Sequence, residues 1–303
     1  MKFKKFFSFS LILIIFAFMA KNILENWPAI KSFPWHFNFL NLTFLLIFLL
    51  PIYLTNSTSW FFVLKSLGVK IKYLKAIKIW CFSNASRFIP GAIWQYGGRV
   101  FLAKKEGIPT AIILTSLIIE MLFVLTIGGI LVMIVFGRLN FTTNSYFSNM
   151  IFLTLPILVI LISVFSNQKI VDKILFLFKK ITGRKDEIKS FKISPKWIAI
   201  LSFSFLMQFI FDGSVLFFLT RQAIELNWSL YPVFIGIFAS SWILGYITMI
   251  APAGLGVQEL SIATMLSLYM PFPIASIIAI SFRLVLLVSE SVTILLLSIF
   301  SRR

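Results

Sequence analysis

From Ala111 to Phe136 the chain carries one ionisable residue, Glu120, and a helix of about 20 apolar residues is enough to cross the hydrocarbon core of a bilayer. Hydrocarbon offers no partner to a backbone N–H or C=O, so a spanning segment must be a helix or part of a closed barrel. Further apolar runs lie at Phe6–Ala20, Leu42–Val63, Met150–Phe165, Trp197–Thr220 and Phe272–Phe300. The first follows Met1–Lys5 as a signal peptide would, but Phe18 and Met19 before Ala20 make no small-residue cleavage site, so an uncleaved span is expected. With 59% hydrophobic residues, 13% charged residues and a mean hydropathy of +0.98, the chain reads as an all-α polytopic membrane protein of about six spans.

Two stretches resist that pattern. Met249 to Glu259 interrupts an apolar run with Pro252, Gly254, Gly256 and a carboxylate. Pro removes a backbone donor and Gly permits backbone conformations other residues resist, which predicts two half-helices meeting at a break. Ser83 to Arg99 contains Pro90-Gly91, and the interval from Lys78 to Lys104 suffices for a hairpin that dips in and returns, not for two spans. Both stretches are expected to be re-entrant helical hairpins. Broken helices of this kind face cavities, where half-helix ends hold ions or anionic groups.

The formal net charge of +18 does not indicate nucleic acid, because the basic residues lie in short loops between spans. They alternate instead. The N-terminus, Lys65–Lys105, Asn167–Lys196 and the C-terminal Arg302-Arg303 are rich, while the loops between are poor. By the positive-inside rule the rich set is cytoplasmic, with both termini on that side and anionic inner-leaflet lipid as a partner for the basic loops. Ile170–Ile181 has apolar residues at helical spacing and is expected to lie on the membrane surface.

The two hairpins then enter from opposite faces, as an inverted repeat requires. The order of features agrees. Pro90-Gly91 precedes Arg99, a Pro-x-Ala turn at Pro109 and Glu120 inside a span; Pro252 and Gly254 precede Glu259, a Pro-x-Ala turn at Pro273 and Arg283 inside a span. The expected repeat halves are 42–166 and 197–300, joined by the basic segment 167–196.

Ionisable residues inside apolar spans are costly unless paired or solvated, and so mark function by default. The candidate substrate-binding residues are Arg87, Pro90, Gly91, Arg99, Glu120, Asp212, Pro252, Gly254, Gly256, Glu259 and Arg283. Arginine suits a phosphate because its planar fork donates two hydrogen bonds at once. Arg99 and Arg283 are expected to receive a lipid phosphate, with Glu120 and Glu259 holding them when the site is empty or balancing a proton. Cys81 and His36 are the sole residues of their types, which rules out cysteine-based and His-pair metal sites. No Asp-x-x-x-Asp motif is present to bind a magnesium diphosphate. No cofactor or catalytic residue is expected.

At these residues the chain resembles the flippase-like family typified by the transmembrane region of lysylphosphatidylglycerol synthase. The resemblance rests on Ser86-Arg87-x-x-Pro90-Gly91 through Arg99, on Glu120, and on Pro252-Ala253-Gly254-Leu255-Gly256-Val257-Gln258-Glu259 with Arg283 downstream. Family members often carry Pro-Gly-Gly-x-Gly-Val-Arg-Glu at the second motif, so Ala253 and Gln258 are departures. The resemblance implies movement of an aminoacylated phospholipid, a polyprenyl-linked lipid or another envelope lipid between leaflets of a bacterial or archaeal cell membrane. The sequence ends at Arg303 without a stretch matching a soluble aminoacyl-transferring domain, so lipid synthesis is not expected of it. The rival readings are a polyprenyl-diphosphate phosphatase, whose Pro-Gly-x-Ser-Arg-Ser run is missing here, and a non-transporting partner in envelope assembly.

Overall fold

The computed structural model describes residues 15–36, 38–88, 94–138, 193–248 and 254–299. Among these the regular secondary structure is all helix, with no strand. In chain order the helices are α1 (15–25), α2 (Trp27–Lys31), α3 (Phe39–Ser66), α4 (Tyr73–Asn84), α5 (Trp94–Lys105), α6 (Thr110–Arg138), α7 (Pro195–Thr220), α8 (Tyr231–Thr248), α9 (Val257–Leu266) and α10 (Phe272–Ile299). Short 3₁₀ turns extend α4 at Ala85–Phe88 and precede α8 at Trp228–Leu230.

Five of the described helical stretches are long and apolar enough to cross a membrane: α3, most of α6, α7, α8 with its leading turn, and α10. The protein is thus a multi-pass helical membrane protein. The expected span at 150–165 and the surface helix at 170–181 fall outside the described residues. The first hairpin has two limbs of 12 residues each, α4 and α5, about 18 Å at 1.5 Å per residue. The second is lopsided, because α8 has 18 residues and α9 only 10. None of the six apolar runs read as spans in the sequence includes α8, yet by length and composition it is itself able to span.

The sequence explains where the helices begin and how they tolerate polar residues. Asn38 accepts a hydrogen bond from the Leu40 amide and caps α3 at 2.8 Å, and Pro195 occupies the first turn of α7, where its missing N–H costs nothing. Within α3, Thr55 and Ser57 donate back to the carbonyls of Pro51 and Tyr53, at 2.7 and 2.9 Å, which removes their polarity from the apolar surroundings. Ser59 meets Ser204 of α7 at 2.7 Å, and Trp60 donates to Ser116 of α6 at 3.0 Å.

Packing divides into two cores. The larger gathers α6 through α10 with parts of α1 and α3 around fully buried Phe205, Phe209, Phe217, Phe234 and Phe282. The smaller joins α4, α5 and the end of α3 around Trp60, Leu64, Ile77 and Cys81. Small residues set the closest approaches in the larger one. A Cβ on Gly213 would lie 2.7 Å from the Ile235 backbone, so α7 and α8 touch main chain to main chain. Gly254 has φ +66° and lies against the Gly245 backbone, where a Cβ would come within 3.2 Å.

Candidate functional site

A cavity of about 210 Å³ opens between the two hairpins. Tyr53 and Asn56 of α3, Arg87 and Arg99 of the first hairpin, Glu120 of α6, Asp212 of α7, Tyr246 of α8 and Arg283 of α10 are among the side chains that line it. The hairpins meet across it, with the Tyr96 hydroxyl of α5 3.3 Å from the Tyr246 hydroxyl of α8.

On the first hairpin, α5 buries Arg99 to 3% exposure and directs its guanidinium onto Glu120 of the adjoining span. The cation is also sandwiched: its Cζ lies 5.2 Å from the Trp60 ring centre and 5.4 Å from that of Trp80, an arrangement favoured by the negative face of an aromatic ring. Trp80 Nε1 donates to the second carboxylate oxygen of Glu120 at 3.0 Å. Glu120 therefore has a partner on each oxygen while its side chain keeps 18% exposure toward the cavity.

The second hairpin reverses the signs. Glu259, 1% exposed, sits on α9, and its partner Arg283 sits on the span α10, with Nε 3.4 Å from Oε1. The other oxygen of Glu259 accepts the backbone N–H of Gly256 at 2.6 Å. Gly256 is the N-cap of α9 with φ +84°, so Glu259, three residues on, closes the helix end with its own side chain. The amide that an anion would otherwise find there is taken. Gln258 is not a passive departure from the family pattern, since its Oε1 accepts from Arg283 Nη1 at 2.9 Å.

A third pair, Arg87 Nη2 to Glu290 Oε2 at 2.8 Å, ties the turn after α4 to α10. Beside it the Tyr53 hydroxyl accepts from Asn84 Nδ2 at 2.5 Å. Asp212 of α7 is 3% exposed and lines the cavity. Among the described residues it has no ion pair and no hydrogen bond, in contrast to the three paired glutamates.

The structure thus brings Arg87, Arg99, Glu120, Asp212, Gly254 and Arg283 to one cavity wall, with Glu259 immediately behind Arg283 and Gly256 holding the end of α9. Pro90, Gly91 and Pro252 lie outside the described residues. Glu290, an ionisable residue inside the last apolar run, is not among the candidate residues read from the sequence, and its bond to Arg87 was missed. It also missed the aromatic clamp of Trp60 and Trp80, because tryptophans on two separate helices carry no local spacing signal. Among the described residues no group of His, Cys, Asp and Glu is arranged to hold a metal ion.

Helices of membrane-spanning length around an inward-facing ring of paired charges define a multi-pass membrane protein with a polar chamber inside its helical bundle. The chain belongs to the family of the lysylphosphatidylglycerol synthase TM region, whose model matches residues 6–292. That membership connects it to membrane lipids. A comparison with curated proteins finds no match.

Proposed function

We propose that the protein is a flippase-like transporter that carries a phospholipid or polyprenyl-linked envelope lipid between leaflets, with the lipid's phosphate received in the cavity between the hairpins. The observation that carries this reading is the set of three arginines around one chamber, two of them buried and Arg87 half-buried, each already matched by its own carboxylate. A phosphate that enters can replace a carboxylate on an arginine, and the guanidinium fork suits it. The exchange swaps one desolvated ion pair for another, so it avoids leaving a buried cation alone, which is the expensive state. The 12-residue limbs α4 and α5, too short for a bilayer core of about 30 Å, support a re-entrant first hairpin. The order long helix, two shorter helices, long helix recurs as α3–α6 and α7–α10 and supports repeat halves of inverted orientation. Exposed Lys70, Lys72, Lys75, Lys104 and Lys105 lie at one end of the first hairpin. They suit a cytoplasmic face against anionic lipid in a cell membrane.

The test is reconstitution in vesicles containing acyl-labelled phosphatidylglycerol or a labelled polyprenyl phosphate, with the label in each leaflet read by an impermeant quencher. Transfer above empty vesicles is expected for one of the two lipids, falling to background for Arg99→Ala and Arg283→Ala at normal protein level. Transfer no faster than in empty vesicles with both lipids refutes the proposal. Release of inorganic phosphate from a polyprenyl diphosphate by the purified protein assigns it to the enzymatic alternative.

A further inference from the structure

The cavity and its immediate wall hold three arginines and four carboxylates. Arg87, Arg99 and Arg283 are each committed to a glutamate, and Asp212 is the carboxylate left over. It sits at 3% exposure on the chamber wall. Arg87 acts on it through space, while that arginine's own contact is with Glu290. A carboxylate at such burial is stable when a positive charge neutralises it. The surroundings offer oxygen. Asn56 of α3, on the helix packed most extensively against α7, lines the same cavity, and its Oδ1 is buried without a hydrogen-bond partner. Gln208, one helical turn before Asp212 and 9% exposed, lines it too.

We propose that Asp212, with Asn56 and Gln208 beside it, is a binding site for one monovalent cation, a proton or a sodium ion, that enters the cavity together with an anionic lipid headgroup. The proposal rests on the lipid-handling reading above and adds the charge that accompanies the lipid. When a phosphate takes an arginine from its glutamate, the chamber gains a negative charge, and a cation at Asp212 returns it to the charge it carried before the lipid entered. Each ligand then strengthens the binding of the other by the same factor. The other titratable groups lining the cavity are Tyr53 from α3, Arg87, Tyr96 and Arg99 from the first hairpin, Glu120 from α6, Tyr246 from α8 and Arg283 from α10, with Glu290 of α10 paired to Arg87. The charged ones among these are already matched in pairs, which leaves Asp212 as the group whose charge is open to exchange.

The experiment measures binding of short-chain phosphatidylglycerol to the whole protein in nanodiscs by calorimetry, from pH 5 to 9, with and without sodium. In sodium-free buffer the wild-type affinity is expected to fall about tenfold per pH unit above the titration point, as one linked proton requires. Recovery of affinity on adding sodium at high pH assigns the cation as sodium; no recovery assigns it as a proton. Asp212→Asn, neutral at every pH, is expected to bind with affinity independent of pH and sodium. Asp212→Glu restores the dependence. An Asp212→Asn variant that keeps the wild-type slope, or a wild type that responds to neither pH nor sodium, overturns the proposal while leaving the lipid reading intact. Tighter binding of an aminoacylated, cationic headgroup that Asp212→Asn alone abolishes, with a flat pH response, gives Asp212 to the headgroup and also overturns it. If no lipid binds to any variant, the lipid reading fails, and infrared difference spectra of the lipid-free protein still decide the cation site. A carboxyl band that titrates or shifts with sodium and disappears in Asp212→Asn upholds it; no such band refutes it.

Discussion

The two hairpins carry the same ion pair with its polarity reversed, and they hold it by different means. The first places the cation on the short helix and clamps it between the rings of Trp60 and Trp80. Its carboxylate faces the cavity with 18% of the side chain exposed. The second places the carboxylate on the short helix and gives it two tasks at once, since Glu259 both neutralises Arg283 and closes the end of α9. In the first hairpin the pair can part while the backbone stays as it is. In the second, parting the pair through Glu259 loosens a helix end. On the proposed transport reading, lipid exchange falls chiefly to the Arg99–Glu120 pair and fold maintenance chiefly to Glu259, with Gln258, which accepts a hydrogen bond from Arg283, keeping that arginine aligned when its ionic partner moves.

The sharpest way to break this comparison is at Glu259. Glu259→Ala removes the cap and strands a buried guanidinium, and a loss of about 3–5 kcal/mol is expected, read as a lower melting temperature in detergent and a reduced yield. Glu259→Gln, which can still accept the Gly256 amide, is expected to lose less. The next effect contrasts the glycines of the two regions. Gly213→Ala drives a methyl into the Ile235 backbone and is expected to cost about 1–3 kcal/mol, whereas a Cβ on Gly97 of α5 meets nothing within 4 Å, so Gly97→Ala is expected to stabilise by up to about 1 kcal/mol through helix propensity. Equal losses at the two sites, measured by thermal unfolding, would erase the distinction between a tightly packed and a loosely packed region.

Glu120→Gln sharpens the functional half of the comparison. It keeps an acceptor for Trp80, and cavity water relieves part of the charge left on Arg99, so a destabilisation of about 1–2 kcal/mol is expected, well below that of Glu259→Ala. Headgroup binding changes more than stability in this variant, and calorimetric titration with short-chain phosphatidylglycerol would show it. The smallest effect belongs to the exposed pair between Lys75 and Glu106, whose side chains are 53% and 34% exposed. Lys75→Ala is expected to change stability by about 0.2–1 kcal/mol at low salt and less at high salt.

Much of this architecture was legible in the sequence because hydrocarbon imposes hard rules. The long helices at Phe39–Ser66, Thr110–Arg138, Pro195–Thr220 and Phe272–Ile299 each contain the apolar run that announces them. Gly254 and Gly256 announced the break before α9, since both adopt the positive φ that a side chain resists. The intramembrane charges stood out because each is expensive to bury. What the sequence hid was the third partnership. Arg87 and Glu290 are 203 positions apart, and nothing local links a residue in a 3₁₀ turn to one near the end of the last helix. The second task of Glu259 was visible in principle, as a carboxylate three residues after a helix-starting glycine, but its place in a membrane hairpin drew attention to ligand binding instead. The spanning length of α8 was obscured for the same reason, because the Pro and Gly that follow it dominated the reading of the whole stretch.

The contact of Gly213 with Ile235 bears on how the chamber would change access in the proposed transport cycle. With main chains in touch, α7 and α8 have no cushion of side chains over which to slide, so they travel as one plate. Asp212, the neighbour of Gly213, rides on that plate. In that proposed cycle, opening the chamber to either leaflet would change the distance between Asp212 and the arginines carried by the first hairpin and α10. The leftover carboxylate would thereby gauge which way the chamber faces.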